Sequence, residues 1–156
     1  MKKENGMKTI RFFRDAMELG LPFIRVEEGE LEGLVLMIDT GSNDNVMFGY
    51  AYSQLKNHMK LLDMTGTLYG IDGTPAEVRY ASWEVSLCGK KYEMTFVVRD
   101  DDKAFIKLSN DVGFPVTGII GTKFMAEHDW VIDFGKQEVK IPVADISVDD
   151  MQRLNK

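Results

Sequence analysis

Residues 35–46 read VLMIDTGSNDNV, four apolar residues followed at once by Asp39, Thr40, Gly41 and Ser42. A run of Val, Leu, Met and Ile with turn-forming residues behind it predicts a buried strand that stops abruptly. An aspartate at the end of such a strand would be carried by a rigid element to the rim of a core. The glycine two positions on allows another backbone to come close.

Working outward, the chain reads as short strands. Residues 21–28 (LPFIRVEE), 31–38 (LEGLVLMI) and 45–48 (NVMF) have period-two or continuous apolar patterns, with Gly- and Glu-containing turns between them. Residues 50–62 permit a helix with Tyr52, Leu55, Met59 and Leu62 on one face, and a Tyr-rich strand is the alternative. Residues 65–87 predict a long hairpin with its tip near Ile71 to Thr74. CGKK (88–91) turns into another strand, which ends at the charged RDDDK, and the residues after that look irregular. A Gly-bounded apolar strand, a short helix over Thr122 to Glu127, and a hairpin around Gly135 and Lys136 follow. Before all of these, Ile10, Phe13, Met17 and Leu19 are spaced as a helical stripe that Gly20 and Pro22 end. The expected organisation is a helical N-terminal extension over 1–20, one domain over 21–143, and a polar tail over 144–156.

The chain has 156 residues, 44% of them hydrophobic, enough for one globular core. Its net charge is −6 and its basic residues are scattered, which argues against a nucleic-acid surface. The single cysteine, Cys88, cannot form an internal disulfide, so a reducing cytoplasm is the expected location. No stretch approaches membrane-spanning length, and the charged N-terminus does not read as a signal peptide.

Most familiar chemistries fail on their own requirements. The two histidines, His58 and His128, have no ligand spacing, and one cysteine builds no zinc set, so no metal and no cofactor are expected. Asp39 to Asp44 lacks the alternation of a calcium loop. GIDGTP (70–75) has Gly70 where a phosphatase of that pattern needs its nucleophilic aspartate. IDFG (132–135) stands in a chain without the other kinase elements.

The sequence LMIDTGSN resembles the catalytic loop of the aspartic proteases. Two companions in the right order strengthen the resemblance. TGIIG (117–121) is similar to the hydrophobic-hydrophobic-Gly element that threads behind that loop, and LYGIDGTPAEV (68–78) stands in the position of the flap. From about Pro22 to Val143 the chain is most similar to the single-lobe, retropepsin-like proteins of bacterial type. The resemblance implies an all-β fold with minor helices, the retropepsin-like single-lobe acid protease barrel. It also implies an aspartic endopeptidase that cuts peptide or protein substrates. One lobe supplies one Asp39, so the second must come from a second copy in a homodimer.

By the same resemblance, Thr40 would make crossed hydrogen bonds between the two loops, and Ser42 would bond the outer oxygen of Asp39. Ile119, Ile120 and Gly121 would support the loop from behind. Tyr69, Gly70, Ile71, Asp72 and Gly73 would form the flap that closes on substrate. The chain departs from the retroviral pattern at Asn43 and Thr122, where an aspartate and an arginine would pair; Asp44 and Lys123 could pair one residue along. That departure keeps a second reading open, a catalytically silent peptide-binding or oligomerisation module on the same fold.

Overall fold

The computed structural model describes residues 6–26, 34–69, 73–100 and 103–142. Among the described residues ten strands lie in two sheets, with four short helices around them. In chain order they begin with β1 (Met7–Arg11), α1 (Arg14–Met17), β2 (Phe23–Val26), β3 (Leu34–Ile38) and β4 (Asn45–Phe48). Next come α2 (Gly49–Leu55), a 3-10 turn, β5 (Lys60–Tyr69), β6 (Pro75–Leu87) and β7 (Lys90–Arg99). The chain then runs through α3 (Lys103–Val112), β8 (Gly118–Ile120), α4 (Thr122–Glu127), β9 (Val131–Asp133) and β10 (Glu138–Pro142).

The larger sheet has the order β2-β3-β8-β4-β7-β6-β5, and the smaller β1-β10-β9. Strands β3, β8 and β4 are largely apolar and buried because both of their faces are covered, while β2 exposes Arg25. Ile24, Leu36, Ile38, Met47 and Ile120 enter the main core with Trp83, Phe96, Val139 and Ile141. Phe23, Val35, Val46, Phe48 and Ile119 point the other way, into a second cluster closed by residues of α1 and α3.

Met7–Arg11, expected as helix, is a strand in antiparallel register with β10, from Met7 opposite Pro142 to Arg11 opposite Glu138. The apparent helical stripe is divided between elements. Ile10 packs on the main core from β1, Phe13 joins the second cluster, and Leu19 is 62% exposed. The stretch after RDDDK, expected as irregular, contains α3, whose Phe105 stacks on Phe48 with ring centroids 3.6 Å apart. Gly113, at φ +83°, then ends it in the left-handed conformation common after helices.

The helix expected over 50–62 ends at Leu55, and Leu62 belongs to β5 instead. The long hairpin has the expected arms, β5 and β6, in register from Tyr69 opposite Pro75. Cys88 (φ 51°) and Gly89 (φ 78°) make the two-residue turn between β6 and β7. Left-handed backbone at both central residues is what the tight primed hairpin turn requires. The polar tail over 144–156 lies outside the described residues, as does the connection between β2 and β3, residues 27–33.

Candidate active site

Strands β3 and β4 are consecutive and joined only by residues 39–44, yet they do not pair with each other. Strand β8 lies between them, parallel to β3 (Met37 opposite Ile119) and antiparallel to β4 (Val46 opposite Ile119). The loop that begins with Asp39 must therefore arch over the end of β8. The Asp39 N–H continues the ladder by donating to the Ile120 carbonyl at 3.1 Å.

The loop then closes on itself. Ser42 N–H donates to the Asp39 carbonyl at 3.1 Å, and Gly41 N–H donates to Asp39 Oδ1 at 2.9 Å. Asp39 is half-buried while Thr40 and Gly41 are exposed, so the carboxyl group stands on a fixed turn at an open surface. The Ser42 hydroxyl donates to the Asp44 carbonyl at 2.7 Å, which corrects the expectation that it serves Asp39.

Behind the loop, α4 receives it through neutral groups. Thr122 N–H and Oγ1 both donate to the Ser42 carbonyl, at 2.8 and 3.2 Å, and Lys123 N–H donates to the Asn43 carbonyl at 3.2 Å. The ion pairs among the described residues are Arg79–Asp100, Glu84–Lys91 and Lys107–Asp111, so the expected substitute pair of Asp44 with Lys123 is not formed.

Gly121 is needed for space rather than for conformation, its φ being −93°. A Cβ there would lie 2.4 Å from the Asp44 carbonyl oxygen and 2.8 Å from that of Asn43. Ile120 is fully buried and Ile119 nearly so. Two further residues, missed in the sequence, share this work. Gly118 passes so close to β4 that a Cβ would sit 2.2 Å from the Val46 carbonyl oxygen. Asn45, 7% exposed, accepts the Gly121 N–H at 3.0 Å. The available signals were a lone amide opening an apolar strand and a glycine inside TGIIG.

A cleft of about 310 Å³ lies beside α4 at the far end of the loop, lined among others by Asn43, Asp44, Met64, Tyr80, Lys123 and His128; Asp39 does not line it. Gly66 leaves room for Tyr80, whose hydroxyl would lie 2.6 Å from a Cβ at that position. Tyr69 ends β5 and is 71% exposed, and Gly73 is left-handed at φ +80°. Gly70, Ile71 and Asp72, the expected flap tip, lie outside the described residues. Among the described residues no group of three or more His, Cys, Asp or Glu could hold a metal ion, and no helix is long and apolar enough to cross a membrane.

Just past the end of α4, the His128 ring packs tilted against Phe124 (4.4 Å between centroids) and edge-on against Tyr92 (5.0 Å). Burial lowers its pKa and nearby Lys90 adds to the effect, while Glu127 and Asp129 pull the other way. The unfolded chain thus binds this proton more readily, so the contribution to stability is present above about pH 6.5 and declines as the pH falls. Thermal melts from pH 7 to pH 5 will show a fall that His128→Gln reduces. Equal slopes for the two proteins would remove His128 as its source.

No protein-family model matches the chain, and no curated protein matches it by sequence. Solved structures do match. A retropepsin-like aspartic protease from Rickettsia conorii superposes with a TM-score of 0.54 at 16% identity, covering 90% of this chain and 96% of that one. The retroviral protease-like domain of Ddi1 from Leishmania major gives 0.52 at 14% identity, covering 81% and 95%. With its mostly β structure, the threaded β8 and these likenesses, the chain has the retropepsin-like single-lobe fold.

Proposed function

We propose that the chain is an aspartic endopeptidase that works as a homodimer, with Asp39 of each copy forming the acid–base pair. The observation that carries this reading is Asp39 itself, held on a hydrogen-bonded turn at an open surface of a single lobe. Two carboxyl groups brought within a few Å share one proton, because both cannot ionise comfortably side by side. The ionised one takes a proton from water as that water attacks the peptide carbonyl. The protonated one donates to the carbonyl oxygen, and collapse of the tetrahedral intermediate passes a proton to the leaving nitrogen. No cofactor enters this chemistry.

An extended peptide would run between the loop and the β5–β6 arms, adding a strand to the flap and receiving the flap's closure. The exposed Thr40 is available for the crossed hydrogen bonds between two loops. Against this stands one observation: the Asp44–Lys123 ion pair is not formed, which supports the silent binding module as a second reading.

Light scattering over a concentration series at about pH 5 and pH 7 separates the two. A dimer that tightens on acidification, as one proton relieves the repulsion of the paired carboxylates, supports the enzyme and leads to a peptide-library cleavage screen. A monomer at every concentration would mean the second Asp39 never arrives, and the enzyme reading would be abandoned.

A further inference from the structure

Asn45 opens β4, where the three residues after it are apolar and buried, and it is buried too. Burying an amide is costly unless each of its polar atoms finds a partner. Here both do. Oδ1 accepts the Gly121 N–H at 3.0 Å, and Nδ2 donates to the Thr95 carbonyl at 3.2 Å. One partner is a fixed donor and the other a fixed acceptor, so the two ends of the amide cannot be exchanged. The side chain therefore ties three elements together: the end of the Asp39 loop, the corner between β8 and α4, and β7.

We propose that Asn45 is the positioning residue of the Asp39 loop, and that its neutral amide makes the clamp on that loop indifferent to pH. The other ties between loop and α4, at Ser42 with Thr122 and at Asn43 with Lys123, use backbone and hydroxyl groups that do not titrate either. The charged and titratable groups in the same cleft are Asp44 on the loop, Tyr80 on β6, Glu93 on β7, Lys123 and Glu127 on α4, and His128 just after it. None of their side chains takes part in the clamp. A loop held by an ion pair would slacken as its carboxylate took up a proton; this one keeps its geometry through the acid range in which a carboxyl pair works. The catalytic part of the inference rests on the proposed peptidase function, while the structural part does not.

Two substitutions test it. Asn45→Ala leaves the Gly121 N–H and the Thr95 carbonyl buried without this partner. The amide resonances of Thr40, Gly41 and Ser42 will move, and kcat will fall about tenfold to a hundredfold with KM nearly unchanged. Asn45→Asp is the sharper probe. Protonated, the introduced carboxyl offers the same acceptor and an O–H donor; ionised, it sets a negative oxygen against the Thr95 carbonyl. Its folded-state pKa is thereby raised above the unfolded value of about 3.9. The clamp is thus intact at low pH and lost as the pH rises through the folded value.

Relative to the unaltered chain at each pH, Asn45→Asp will match it near about pH 4 and behave like Asn45→Ala near about pH 7. A role in bulk stability alone would not produce that ratio with KM unchanged. Loop resonances that stay in place in Asn45→Ala, or an Asn45→Asp ratio that is flat with pH, would overturn the proposal. If the unaltered chain cleaves nothing, the peptidase reading falls, and the loop resonances in the two variants still decide whether Asn45 holds the loop.

Discussion

If the chain is the peptidase proposed above, Asp39→Asn will lower its cleavage of peptides by at least about a thousandfold while leaving the fold as it is. The amide oxygen of asparagine can still accept the Gly41 N–H, so the turn at residues 39–42 keeps its bond. On the proposed mechanism, what is lost is the ionisable oxygen that would take the proton from water. The check is a matched pair of measurements: a thermal melt, expected within about half a kcal/mol of the unaltered protein, and cleavage of the best peptide from a library. Cleavage that survives would show that another group does the chemistry, and the assignment of Asp39 would be withdrawn.

Gly118→Ala carries the largest expected effect on stability. The added Cβ would lie 2.2 Å from the Val46 carbonyl oxygen, 3.2 Å from its carbonyl carbon and 3.4 Å from Met47 Cα. All three are backbone atoms of β4, a strand also paired with β7, so no side chain can swing aside. Strands must separate instead, at a cost above about 4 kcal/mol. In a domain of ordinary stability that is a large share of the total. The melting temperature should drop by more than about 10 °C, or the protein should be recovered unfolded. A variant that melts with the unaltered chain would show that β8 does not pass this close to β4.

Much of this was legible in the sequence, for identifiable reasons. The strands β2, β3, β4 and β8 are short apolar runs bounded by turn residues, and α4 follows TGIIG where the pattern placed it. The failures have physical causes. Ile10, Phe13 and Met17 imitate a helical stripe because a strand and a helical turn follow one another at that spacing. Helix α3 was missed although Phe105, Leu108 and Val112 share a face, since the acidic run before it drew the reading toward a loop. At the site, the position of Asp39 followed from its strand. The Ser42 hydroxyl could not be assigned without coordinates, because two acceptors lie within reach of it along the chain. Asn45 was passed over because a single polar residue in an apolar run gives no hint of its partners, which lie 50 and 76 residues away.

The threading of β8 between β3 and β4 also dictates an order of assembly. Two strands joined by a short loop would ordinarily zip together at once as a local hairpin. Here that shortcut is closed, because the space between them belongs to a segment made much later, and Ser42 meets Thr122 across 80 residues of chain. Closing so long a loop is slow, since its entropy is lost before the contacts repay it. A chain still emerging from the ribosome without β8 and α4 therefore holds every residue of the Asp-Thr-Gly motif but lacks the bonds to Ile120, Thr122 and Lys123 that hold the loop in place. A peptidase built this way would be silent during its own synthesis.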